Sequence, residues 1–168
     1  MRTTIGSLAE RLTWRSGAVV LVAVALLLVT GQRALAWQDE RGRVASARDA
    51  VAAATAEVEG LIDISAATSA DDMAALLDGA TASFRSELES QADRLRQALT
   101  DNAVEASGDV VSAGVVKLDG DRATVVVAAV GTVRNKQTDA AEPRNYRLAV
   151  DLQRTKGAWL VSGLEFVA

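Results

Sequence analysis

Acid–base or metal chemistry in this chain would have to be built without histidine, which the sequence lacks altogether, and so without the commonest general base and the commonest metal ligand. The remaining candidates are few. Tyr146 is the single tyrosine, and Asp151 and Glu165 are the acids well inside extended segments. Strand alternation puts Asp151 on the face opposite Tyr146, so the two do not converge, and Glu165 reads as an edge or solvent-facing carboxylate rather than a base poised by burial. The adjacent Asp71 and Asp72 invite a metal reading, but capping of a first helical turn explains them and no further ligands converge nearby in sequence. Glu89 and Asp93, four apart, are like charges on a solvated helical face. No serine motif comes with a histidine and no glycine-rich loop opens a helix. Trp159 reads as a core or rim residue, with ligand stacking as the alternative. The expectation is a protein that is not an enzyme, with no catalytic, metal or cofactor-binding residues and no cofactor.

The elements that would position such groups divide into helices first and strands second. A helix is expected from Gln38 to about Ile64, a short one from a capping-box-like Ser69 and Asp72 to Asp78 with Gly79 as its stop, and a third from Thr81 to Asp101. The third carries Phe84, Leu88, Leu95 and Leu99 on one face, as an amphipathic core helix would. After Asn102 the period becomes extended, with strands at Val110–Leu118, Arg122–Val133, Asn145–Gln153 and Ala158–Val167. Asp119-Gly120-Asp121 and Thr155-Lys156-Gly157 are tight-turn signals, and Asn135 to Pro143 forms a longer polar loop. Thr124 to Val130 is apolar on both faces, as in a central strand. Segregated helices and strands make the fold α+β, three helices followed by an antiparallel sheet of about four strands.

In the first long helix Val44, Ala47, Val51, Ala54, Val58 and Leu61 recur at 3-4-3-4-3 spacing, a narrow seam with alanine at every second site. Such a seam packs either on the chain's own sheet or, in its membrane-proximal part, on a partner helix.

Ahead of it lies an uncharged run, Gly17 through Leu21 and Leu27 to Thr30, whose nine Val and Leu residues favour insertion by about 3 to 5 kcal/mol. Trp14 and Trp37 bracket it 23 positions apart, roughly 34 Å along a helix, which suits interfacial anchors. Arg2, Arg11 and Arg15 against Glu10 keep the tail positive, hence cytoplasmic, with everything after the span outside. The same residues also fit a cleaved signal peptide ending at Ala34-Leu35-Ala36. The expected organisation is a cytoplasmic tail (1–16), a transmembrane helix (17–37), a stalk helix (38–64) and an exported α+β domain (65–168) completed by that helix. From Gln38 onward 21 acidic side chains outnumber 14 basic ones, a poor balance for nucleic-acid binding. Without cysteine the exported domain has no disulfide and is held by packing alone.

From Arg41 to Val167 the chain resembles the Mce-associated membrane proteins, small anchored partners of the actinobacterial Mce lipid-import systems. The resemblance rests on ARDAVAAATAEVEGLID, Asp72 with Leu76 and Leu77, ATASF at Ala80–Phe84, DRATVVVAAV at Asp121–Val130, YRL at Tyr146–Leu148 and WLVSGLEFV at Trp159–Val167. It implies an NTF2-like or cystatin-like α+β fold, single-pass membrane anchoring and a non-enzymatic role stabilising or assembling a lipid or sterol importer with Mce-type partner proteins. A similar architecture occurs in assembly components of type IV secretion systems. An exported NTF2-like binder of a small apolar ligand is the alternative, since a sheet wrapped by helices commonly encloses a cavity.

Overall fold

The computed structural model describes residues 37, 40–65, 67–68 and 70–167. Gly17, Leu21, Leu27, Thr30 and Trp14, with the proposed span and tail, lie outside the described residues. No helix among the described residues is long and apolar enough to cross a membrane. The chain divides into one unit ending at Val44 and a second, Ala45–Ala168. In the first, Trp37 is exposed and its ring lies 5.8 Å from the Arg41 guanidinium.

The second unit is α+β. Its helices are α1 (residues 40–62, from Ala45 on within this unit), α2 (Ala70–Asp78) and α3 (Ala82–Asp101). Four strands follow, β1 (Glu105–Asp119), β2 (Arg122–Arg134), β3 (Glu142–Thr155) and β4 (Ala158–Phe166). They pair in sequence order as an antiparallel meander. Valine density favours the pleated surface, and the turns supply the backbone it needs. Lys156 and Gly157 both have positive φ, as a two-residue type I′ hairpin requires, and Gly120 has φ +55° between β1 and β2. Two strands are longer than the pattern indicated. β1 begins at Glu105 and β3 at Glu142, because Glu105–Gly108 pair with Gly131–Arg134 and Pro143 lies in register with Thr132.

One face of the sheet is covered. Val125, Val127, Leu148 and Val150 are wholly buried there together with Ala50, Ala54 and Val58 of α1. The alanines let the helix backbone approach the sheet closely, and Ile62 continues the same i, i+4 stripe. Of the two packings open to the seam, Ala54 and Val58 take the one against the chain's own sheet, Val51 is half-buried against it, Ala47 is half-buried, and Val44 stays 42% exposed.

The far end of α1 is pinned by a glycine pair. Gly108 and Gly131 face each other across β1 and β2, and a Cβ on Gly131 would stand 2.5 Å from the Ser107 carbonyl oxygen. A Cβ on Gly108 would meet Ile62 Cδ1 at 3.0 Å, and the Gly108 N–H donates to Asp63 Oδ1 at 2.9 Å. The joint exists because neither strand carries a side chain there.

The third helix departs from expectation. None of α3's residues is fully buried and Leu95 is 41% exposed, so α3 is a flanking helix rather than a core one. Its entry is fixed by backbone pairing instead: the Thr81 N–H donates to the Val161 carbonyl and the Val161 N–H to that of Gly79, each at 2.8 Å. The 79–81 connector thus adds a parallel bridge to β4 and satisfies that part of the strand's outer edge.

Candidate functional site

A cleft of about 190 Å³ opens where α1, α2, α3 and β4 meet, walled by Leu61, Leu76, Phe84, Leu88 and Leu164, with Glu57, Glu87 and Gln91 as its polar groups. Glu57 is only 7% exposed. Burial alone pushes its carboxyl from 4.5 up to about 7, because the apolar walls disfavour the charged form. The carboxylate fits because residue 79 is glycine: a Cβ there would collide with Glu57 Oε2. Gly79 follows α2 as expected, and its lack of a side chain makes room for Glu57. At the edge of this region Arg85 is engaged with Asp78 at 2.8 Å.

A second surface is the sheet's outer face. Between Lys117 at one end and Asp109 at the other, its middle is built from Gly114, Ser112, Val126, Ala128, Val130 and Ala149, all exposed or half-buried, with the exposed Arg147 in register with Ala128. Two register shifts in β1 leave Val111 and Val116 outside the pairing, and both are 65% exposed. Thr124–Val130 lies in β2, an interior strand of the sheet as expected, and its burial alternates, with Ala123, Val125, Val127 and Ala129 inward and Val126 and Val130 outward.

The residues singled out in sequence do not assemble. Asp151 lies on the outer face and accepts a hydrogen bond from Thr124 Oγ1 at 2.7 Å. Tyr146 lies on the inner face, half-buried, its ring 6.4 Å from Phe166. Glu165 is exposed, in register with Ala149. Trp159 is buried with the Arg154 guanidinium 4.6 Å from its ring centroid, and its Nε1 donor has no partner among the described residues. Glu89 and Asp93 are exposed on α3, and Asp93 pairs with Arg96 at 3.0 Å. Among the described residues, no three acidic side chains come together as a metal site.

The sequence model of the Rv1363c/MT1408-like family of uncharacterised proteins matches residues 13–168. This chain belongs to that family. The Rv1363c protein of Mycobacterium tuberculosis is 27% identical over 155 residues, a span covering 88% of this chain and 59% of that protein. In fold, the chain is similar to an IcmL-like type IV secretion system protein of Legionella pneumophila subsp. pneumophila strain Philadelphia 1. The TM-score is 0.54 at 11% identity, over 70% of this chain and 88% of the other.

In this member of the Rv1363c/MT1408-like family, sequence reasoning passed over Glu57. The signal was available: Glu57 stands three residues after Ala54 and four before Leu61, so it shares the face of the apolar seam rather than the solvated side.

Proposed function

We propose that this protein is a non-enzymatic, single-pass membrane accessory protein whose NTF2-like or cystatin-like domain lies outside the cytoplasm and docks on a transport complex of the Mce lipid-import type. The observation that carries this reading is the two-sided character of the sheet. One face is sealed by α1, while the other exposes a central field of Gly, Ala, Ser and Val side chains, with the exposed Arg147 beside Ala128 and other polar residues around it. Such a field suits docking of a protein surface, and its valines supply the apolar contact. Anchoring is supported by the apolar run from Gly17 to Thr30 with its positive leading tail. The Mce assignment is supported by the strings shared with Mce-associated proteins. A second reading, an assembly component of a type IV secretion-like machine, is favoured by the IcmL-like fold.

The test is purification from native membranes of the full chain and of a Val126→Lys/Val130→Lys double variant, with mass spectrometry of what accompanies each. Mce-type proteins recovered with the first and lost with the second are the expected result. Secretion-system components in their place would establish the second reading, and equal recovery by both forms would remove the outer face as the docking surface. A reporter fused after Ala168 should be active only outside the cytoplasm, and a mature chain starting at Trp37 would overturn the anchor.

A further inference from the structure

We infer that the cleft between α1, α2, α3 and β4 is a binding site for a small amphipathic organic cation, an ammonium on a compact alkyl or aryl body. Glu57 takes the charge, and Leu61, Phe84, Leu88 and Leu164 take the body. The inference is independent of the docking role assigned to the outer sheet face.

Size sets the first limit. An apolar cavity of about 150 Å³ accommodates benzene, so the cleft's volume of about 190 Å³ has room for one ring or a short chain with a polar head. Chemistry sets the second. Among the described lining residues the charged groups are Glu57 from α1 and Glu87 from α3, while α2 contributes Leu76 and β4 contributes Leu164. An anionic ligand would meet two carboxyls and no cation among the described lining residues. A purely apolar ligand would leave the nine-tenths buried Glu57 carboxyl against hydrocarbon. A cation instead gives that carboxylate a charge-assisted hydrogen bond inside apolar walls, where such a bond is strong. Arg85 is not among the lining residues and is already paired with Asp78, which leaves the cationic role to a ligand.

Benzylammonium, with benzyl alcohol as its neutral counterpart, tests the site by calorimetric titration of the full chain in nanodiscs, with ligand-observed NMR as a second readout. At pH 8 benzylammonium should bind saturably and at least about tenfold more tightly than benzyl alcohol, the contrast expected of a charge-assisted bond. Because the Glu57 carboxyl ionises near 7, benzylammonium binding should tighten about tenfold between pH 6 and pH 8, with no such change for the alcohol. Glu57→Gln should reduce the amine to the level of the alcohol, and Leu88→Trp, which fills the cleft from α3, should abolish both. Equal binding of amine and alcohol, a pH-independent amine, or undiminished binding by Glu57→Gln would each overturn the proposal, as would the absence of saturable binding. If Glu57→Gln does not fold, the amine–alcohol contrast and its pH dependence in the unmodified chain still decide the matter.

Discussion

The helices α1 and α3 are of similar length and both read as amphipathic, yet one is the centre of the core and the other contributes almost nothing to it. In α1 the buried apolar positions are Ala50, Ala54, Val58 and Ile62, small residues first and larger ones after them. In α3 the apolar residues are bulkier, yet only Phe84 among them packs on the core. Side-chain size therefore did not decide burial. Small residues let a helix approach a sheet within packing distance, and a helix that occupies that place excludes the next. The larger apolar stripe of α3 is left to wall a cleft at its start and to face solvent at Leu95.

The contrast is broken most forcefully at Val58. Val58→Asp would bury an unpaired carboxylate at a wholly buried site and should cost more than about 4 kcal/mol, enough to unfold a marginal domain. Circular dichroism and denaturant melting would register this as loss of the cooperative transition. A folded variant would mean that α1 can leave the sheet.

Glu57 shows what α1 forgoes in stability by carrying a charge into that layer. Its folded-state pKa lies above the unfolded value, so the stabilisation relative to an ionised reference is complete below pH 4.5, declines as pH rises, and is gone above about 7. The interval from 4.5 to about 7 corresponds to roughly 3 kcal/mol. Glu57→Gln should accordingly raise stability by up to that amount at pH 8 and leave it nearly unchanged at pH 4. A gain that does not depend on pH would show that volume or hydrogen bonding, rather than charge, limits the site.

The glycine joint sharpens the comparison from the sheet's side. Gly131→Ala would press a methyl group against the Ser107 carbonyl and should cost roughly 1 to 3 kcal/mol as overpacking. Native-state hydrogen exchange should show the loss concentrated in Glu105–Gly108 and at the end of α1.

How much of this was legible in sequence follows from what each pattern encodes. Periodicity reports which residues can share a face, so the three helices, the meander and the positive-φ turns were readable from local sequence. Local pattern does not say which of two amphipathic helices meets the sheet, and so α3 was read as core and the α1 seam as partly available to a partner. Strand ends were short for the same reason: Glu105, Glu142 and Pro143 have poor strand propensity, and only pairing across the sheet holds them extended. At the candidate site the acids inside strands drew attention because they break a strand's pattern. Glu57, in a helix rich in alanine, breaks none, and the room its carboxylate takes lies beside Gly79, 22 residues further on.

The smallest effect is expected at Leu95, where the contrast between the helices is most exposed to refutation. A leucine on the apolar stripe of a core helix would cost several kcal/mol to replace with a charge, whereas a residue that is 41% exposed in a helix with no buried position has little burial to lose. Leu95→Lys retains a good helix former and a long aliphatic stem, so the expected cost is about 0.5 kcal/mol or less. Melting of the variant beside the unmodified chain, over a hundredfold range of protein concentration, measures it. A concentration-independent loss above about 2 kcal/mol would show that α3 is packed within its own chain more tightly than its exposure indicates. A loss that grows with concentration would show that a second copy covers the stripe in solution, since only an intermolecular contact makes stability depend on concentration. Either outcome would end the distinction drawn between α1 and α3, and a change within 0.5 kcal/mol would uphold it.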